Sequence, residues 1–327
     1  MNCCNRPQRI PGNFFRKSGK CLTMLLLALL GAWCVGVSCF VWHFSAVSSV
    51  LFGCALLVIW LAAWFICRAA WILTFIEFCV LFSFLLLTPE RRFGSEEWNV
   101  ECRRIPQITR LPDGRIKIAD VRDFRYRTPE NFDVNYKTVT VDPDKLDGMD
   151  VVLSYWGYMD MVSHMLLCFR FSDHQELVLS FEPRVPLGMK GGCFFPGIYR
   201  QYGQMMLFAT PDDVLCLRIK KRNETVYAYR SAASAGVVKN IFMETVRSAE
   251  KLMDHHAFYN SVTNNCTTGL RNAMLMAPEL QEWDWRWLFN GFYDRYLFEK
   301  GFLKCRKNES FASLKSRSLC YGSMGWF

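Results

Sequence analysis

Between Leu22 and Thr88 the chain carries only two charged side chains, Arg68 and Glu77. A stretch so apolar has few ways to fold in water. The hydrocarbon core of a bilayer is about 30 Å thick, and roughly 20 apolar residues cross it as a helix. Leu22–Trp42, Val50–Cys67 and Trp71–Thr88 approach that length, parted by a polar break at His43–Ser48 and by Arg68. Residues 22–88 are therefore expected to form three transmembrane helices. A cleaved signal peptide competes for the first run, which includes small residues between Ala28 and Ser38. That run is long for a signal core, however, and further apolar segments come after it. The last two runs also read as one span plus an interfacial helix, since so few residues separate them. Glu77 is costly in lipid and is expected to face another helix or water.

Orientation is set by the basic residues. The head, residues 1–21, holds Arg6, Arg9, Arg16, Lys17 and Lys20 and no carboxylate. It is expected to stay in the cytoplasm, and Arg68 agrees with that side. Arg91 and Arg92 oppose it, two against six. Three spans then place the rest of the chain outside a cytoplasmic (inner) membrane, in the periplasmic or extracytoplasmic space. The formal charge of +9 divides into +5 up to Thr88 and +4 beyond it. So small a balance over the longer part is no nucleic-acid footprint, which needs a concentrated basic face.

Past the membrane region, residues 89–107 read as a linker, 108–305 as a soluble α+β domain and 306–327 as a C-terminal tail. Ile116–Val121 and Tyr136–Val141 alternate as strands do, and Asp150–Trp156 is a more uniformly apolar one. Met165–Phe171 and Leu177–Phe181 flank Asp173-His174 as a β-hairpin. Val214–Ile219 and Thr225–Tyr229 suggest another. Val237–Met253 has helical spacing. Trp283–Phe302 reads as an aromatic-rich helix with a mixed-charge polar face. It suits the core better than a membrane surface.

Of 15 cysteines, none forms a Cys-x-x-Cys pair, so neither a metal site nor a cofactor is expected. Seven lie beyond Thr88, and an odd number leaves at least one thiol unpaired within the chain. Asn264-Asn265-Cys266-Thr267-Thr268-Gly269-Leu270 sets Cys266 among short polar residues. It stands before a helical pattern (Leu270, Ala273, Met274, Ala277) that Pro278 closes. A thiol at a helix N-terminus meets unpaired N–H groups and a positive dipole end, and both favour thiolate. The competing reading is a buried structural cysteine.

A nucleophilic thiol needs a base, and there are five histidines. His43 lies at a membrane boundary and His174 in a turn, while His255 and His256 end a helix. His164, in Ser163-His164-Met165, stands at the mouth of an apolar strand and is the candidate base. A hairpin centred on Asp173 puts Glu182 roughly opposite His164. There the carboxylate is expected to hold Nδ1 and leave Nε2 for the sulfur. An ordinary strand-end glutamate, paired with Arg184 or Arg200, is the alternative.

Several ordered blocks carry a resemblance: Val121 to Thr128, Leu153-Ser154-Tyr155-Trp156-Gly157, Ser163-His164, Ser180-Phe181-Glu182, Tyr199-Arg200-Gln201-Tyr202 and Asn265-Cys266-Thr267-Thr268. Over about residues 95–305 the chain is similar to the Lnb N-terminal periplasmic domain family, named for a bacterial lipoprotein N-acyltransferase. That family looks like a permuted, NlpC-type branch of the papain-like thiol enzymes, with the histidine strand before the cysteine helix. In that order it resembles the lecithin:retinol acyltransferase group. The resemblance implies an α+β, permuted papain-like domain with an antiparallel sheet. It implies Cys266 as nucleophile and His164 as base, with Glu182 carried over as orienter. Tyr155, Trp156, Asn265 and Thr267, within the matching blocks, are expected to bind substrate. Met189–Gly197 is richer in glycine and cysteine than such relatives, and His255-His256 replaces other polar residues.

The function expected on this basis is a membrane-anchored Cys–His acyltransferase. Its donor would be a phospholipid, its acceptor a lipoprotein N-terminus or another amine, and its partner the lipid bilayer. A papain-like cell-wall peptidase or amidase is a second reading. An inactive membrane-anchored binding module is a third.

Overall fold

The computed structural model describes residues 29, 31–40, 45–66, 97–155, 160–191, 194–255 and 257–320. By contacts the chain divides into two compact units, Met1–Arg91 and Arg92–Phe327. In the first, residues 31–40 are helical and Ala46–Ile66 forms a 21-residue helix, α1, without a charged side chain. Ser45 opens α1, its hydroxyl accepting the Ser48 N–H at 3.1 Å. Gly53 lets α1 lie close to residues 31–40, since a Cβ there would collide with the Val35 side chain. Several side chains of α1 lie outside the described residues, and among the described residues no helix is long and apolar enough to cross a membrane. The third expected span, Trp71–Thr88, falls wholly outside them, as does Glu77.

The second unit is α+β, built on a nine-stranded sheet. Its strands are β1 (Gln107–Arg110), β2 (Ile116–Arg122), β5 (Tyr136–Val141), β6 (Leu146–Tyr155), β7 (Ser163–Phe171), β8 (Glu176–Arg184), β9 (Gly203–Ala209), β10 (Thr225–Arg230) and β11 (Leu319–Cys320). A separate two-stranded ribbon pairs β3 (Arg125–Tyr126) with β4 (Phe132–Asp133). The spatial order is β1-β2-β9-β8-β7-β6-β10-β11, with β5 also on β2. All pairings are antiparallel except β2 with β9, which run parallel at Arg122 and Ala209. The sheet is therefore mixed, where an antiparallel one was expected.

The centre of the sheet is buried on both faces. Leu167, Phe169 and Phe171 of β7 join one apolar cluster, while Leu166 and Cys168 join the other. The helices are α2 (Phe194–Ile198), α3 (Pro211–Cys216), α4 (Ala235–Asp254), α5 (Arg271–Met274), α6 (Tyr293–Glu299) and α7 (Phe311–Arg317). Ser234 caps α4 by accepting the Val237 N–H. Val238, Ile241, Phe242, Val246 and Ala249 then line one stripe of that helix and cover the first cluster. Phe242 meets Phe169 edge-on, with ring centroids 5.1 Å apart.

Four of the sequence expectations differ from the structure. Val214–Ile219 is no strand: it forms part of α3 and of a five-residue π-turn, Leu217–Lys221. Thr210 caps α3, Pro211 opens it, and Asp212 and Asp213 fill its first turn, a helix start that outweighs local alternation. Trp283–Phe302 is broken into two 3-10 turns, Trp285–Trp287 and Asn290–Phe292, before α6. Trp287, Tyr293 and Tyr296 from it are buried in the core. The domain also runs past residue 305, for Leu314 of α7 is in the core and β11 pairs β10. At its other end Trp98 and Cys102, within the expected linker, are buried against the sheet.

Candidate functional site

The β7–β8 hairpin turns through residues 172–175, with His174 in the left-handed region at φ 65°. Its register pairs Leu166 with Ser180 and Arg170 with Glu176, each pair summing to twice 173. Two residues further toward the open end, His164 Nε2 lies 3.0 Å from Glu182 Oε1. Ser180 Oγ stands 2.7 Å from the same Nε2 and donates to Glu182 Oε1 at 2.7 Å. The pairing of His164 with Glu182 is the one expected, but the nitrogen is not. Glu182 takes Nε2, which leaves Nδ1 for the sulfur. The start of β7 holds the ring with Nε2 toward its hairpin partner.

Cys266, 4% exposed, comes to His164 from 102 residues further along the chain and hydrogen-bonds its side chain. Asn265 shapes the turn that carries it. Its Oδ1 accepts the N–H groups of Thr267 and Thr268 at 3.0 and 3.1 Å, and its Nδ2 donates to Ser261 O. The chain then enters a 3-10 turn, Thr268–Leu270, and the four-residue α5, where one helix reaching to Pro278 was expected. A helix dipole this short contributes little. Gly269 is required by contact: a Cβ there would come within 2.6 Å of the Phe181 ring, beside Glu182.

Asn290, unpredicted, ties the two halves together. Its Oδ1 accepts Ser163 N–H at 2.8 Å and its backbone oxygen accepts the Ser163 hydroxyl at 2.9 Å. Its Nδ2 donates to Thr267 Oγ1 at 2.8 Å and reaches Cys266 Sγ at 3.5 Å. The residue before the histidine and the residue after the cysteine are thus held by one buried amide. Gly291 allows this, since a Cβ there would strike the Asp160 backbone oxygen. Tyr259 was also missed. Its phenol hydrogen-bonds the Cys266 backbone, and burial, reinforced by the charges at Cys266 and Glu182, holds it well above 10 and so protonated. Neither residue has a local signal; each acts only through the fold.

The expected substrate contacts are otherwise engaged. The Tyr155 hydroxyl donates to Gly291 O at 2.8 Å and lies 3.2 Å from Asp294 Oδ2, inside the core. Asn265 shapes a turn, and Thr267 is fully buried beside the sulfur. Trp156 lies outside the described residues.

Burial disfavours a thiolate at Cys266, yet the His164 imidazolium overrides it and brings the thiol below its usual range, helped by hydrogen bonds from His164, Met165 N–H and Thr267. Burial equally disfavours charge on His164, but the Glu182 carboxylate raises it to about 9. Glu182 is held well below the usual carboxylate range, its burial outweighed by His164 and Arg218. Other thiols behave oppositely: burial pushes the buried Cys102 and the half-buried Cys320 up to about 11. Cys266 and His164 thus favour a thiolate–imidazolium pair.

Behind Glu182 is a second buried layer. Arg218, on the π-turn, sends Nη2 to Glu182 Oε1 at 3.4 Å and Nη1 to Glu224 Oε2 at 3.1 Å. Ser154, the β6 partner of His164, donates to Glu224. The π-turn comes directly after α3, and α3 is pinned by a buried fork in which Arg122 donates to both Asp213 oxygens at 2.9 and 2.8 Å.

The central hairpin of this α+β domain thus brings a histidine and a glutamate to a buried cysteine. Residues 132–291 match the family model described as the Lnb N-terminal periplasmic domain, and this part of the chain is similar to that family. The matched segment contains His164, Glu182, Cys266 and Asn290. The description is of a periplasmic domain, on the same side of the membrane as the N-terminal charges suggest. No curated protein and no solved structure matches the chain.

Proposed function

We propose that this protein is a membrane-anchored thiol acyltransferase of permuted, papain-like design, working at the outer face of the cytoplasmic membrane. The observation that carries the reading is geometric: His164, held by Glu182 at 3.0 Å, hydrogen-bonds the buried Cys266, whose thiol is lowered where Cys102 and Cys168 are pushed up. The thiolate attacks the carbonyl carbon of an acyl ester, with phospholipid as donor. The charge that develops on the carbonyl oxygen is met by the Cys266 N–H and by the protonated Tyr259 hydroxyl. Collapse breaks the ester C–O bond. The departing alkoxide takes the proton of the His164 imidazolium, leaving a thioester on Cys266. An amine, such as a lipoprotein N-terminus, then attacks the thioester. His164 takes its proton as the amide forms and the thiolate departs.

Anchoring by spans within residues 22–88 belongs to this proposal and holds both substrates in the leaflet beside the domain. Incubation of the full chain with acyl-labelled phospholipid is expected to give a hydroxylamine-sensitive adduct on Cys266. Cys266→Ala abolishes both adduct and transfer while the protein still inserts. An active Cys266→Ala protein, or an unlabelled Cys266, overturns the mechanism; release of amine from a peptide or amide instead would point to cell-wall hydrolysis.

A further inference from the structure

We infer that Arg218 is a positioning residue of this site: it acts through Glu182 as a counter-charge that limits how tightly the carboxylate holds the His164 proton. The inference rests on the thiol–imidazole reading above and deepens it.

Glu182 Oε1 is the meeting point of three donors, His164 Nε2 at 3.0 Å, Ser180 Oγ at 2.7 Å and Arg218 Nη2 at 3.4 Å. A carboxylate facing only the imidazole would bind its proton strongly, and His164 must release that proton to a leaving group. A guanidinium on the same oxygen draws part of the carboxylate's field away. Arg218 itself is buried, and its charge is shared with Glu224, whose two oxygens also face Ser154 Oγ and, at 3.9 Å, Arg222. The sequence of charges running out from the sulfur therefore alternates: Cys266 minus, His164 plus, Glu182 minus, Arg218 plus, Glu224 minus. Tyr259 stays neutral beside it. Each charge weakens the hold of its neighbour on the next. Arg218 stands on a π-turn, a helical irregularity frequent at functional sites. The Arg122–Asp213 fork and the Asp213 acceptance of Phe124 N–H at 2.8 Å anchor the helix before it.

This alternation makes two opposite predictions. Removing Arg218 frees Glu182 to hold the imidazolium more tightly. Removing the charge of Glu224 frees Arg218 to draw harder on Glu182, and the imidazolium is held less. The readout is the pH profile of Cys266 alkylation by iodoacetamide in the full chain, resolved at the Cys266 peptide by mass spectrometry. A thiolate–imidazolium pair gives a profile with a lower step, where the pair forms, and an upper step, where His164 loses its proton. The upper step is expected to rise by about one pH unit in Arg218→Met and to fall by about half a unit in Glu224→Gln. Arg218→Lys, which keeps the charge, stays near the parent. The double variant Arg218→Met/Glu224→Gln avoids leaving a second buried carboxylate unpaired, and it too moves the step upward. It replaces Arg218→Met if that protein fails to fold. An unchanged upper step in folded variants, or shifts of one sign for both single changes, overturns the inference. A single ordinary thiol step in the parent protein would instead sink the thiol–imidazole reading itself.

Discussion

At the scale of single residues the site is a problem in keeping charges in a nearly dry place. Cys266, His164 and Glu182 are each costly to ionise where they stand, and each is favoured in its charged form by the next. Removing one member therefore costs more than its own contact. Glu182→Gln keeps the shape and the Ser180 contact but takes away what holds His164 protonated. We expect Cys266 alkylation at neutral pH to slow by about 10²–10⁴-fold, with the fold retained by circular dichroism. Equal reactivity in that variant would remove Glu182 from the machinery. Asn290→Ala tests the tie between the two halves. It leaves Ser163 N–H and Thr267 Oγ1 without their buried partner, a loss of about 1–3 kcal/mol read by thermal unfolding.

Elements set the distances that these residues need. The β7–β8 hairpin brings His164 and Glu182 together by register alone. The Cys266 turn must then be pressed against that hairpin, and Gly269 over the Phe181 ring is where the fit is tightest. Gly269→Ala forces ring or turn to move. The expected cost is about 1–3 kcal/mol, with a clear fall in Cys266 reactivity because the sulfur moves with its turn. A Gly269→Ala protein as stable and as reactive as its parent would mean the turn floats freely. On the other side, α3 hangs on Arg122 and Asp213. Asp213→Asn leaves the Arg122 guanidinium buried without its counter-ion, at about 3–5 kcal/mol. For a domain of this size that lowers Tm by roughly 10 °C. Replacing both by apolar residues is expected to recover part of the loss.

For the molecule as a whole, the site writes itself into stability. His164 is raised from 6.5 to about 9 on folding. Its contribution is thus fully present below pH 6.5 and is lost as pH rises through about 9. Glu182 is depressed below its ordinary 4.5, so its contribution is present above that value and is lost as pH falls. Cys266, lowered in the same pair, gains stability as pH rises toward its ordinary 9 and offsets that loss, so thermal unfolding across pH 2–10 should show the acid limb of Glu182 and little alkaline limb. In Cys266→Ala the offset is gone and an alkaline limb of His164 emerges. A limb of equal size already present in the parent would uncouple His164 from the sulfur.

The residues alone revealed whatever depends on neighbours along the chain. The pleat repeats every two residues, so a hairpin centred on Asp173 must bring positions 164 and 182 together. The stripe from Val238 to Ala249 needed only helical periodicity. Where both signals were local but opposed, as at Val214–Ile219, the helix start at Thr210-Pro211 prevailed over alternation. β9, in Gly203-Gln204-Met205-Met206-Leu207-Phe208-Ala209, shows almost no alternation because nearly all of it is buried. The rest was decided by tertiary structure. Which imidazole nitrogen faces Glu182, the amide of Asn290 beside the sulfur, the phenol of Tyr259, the core role of Tyr155 and the guanidinium of Arg218 all depend on segments far apart in the chain. Their positions result from packing around a sheet buried on both faces, and no local pattern encodes them.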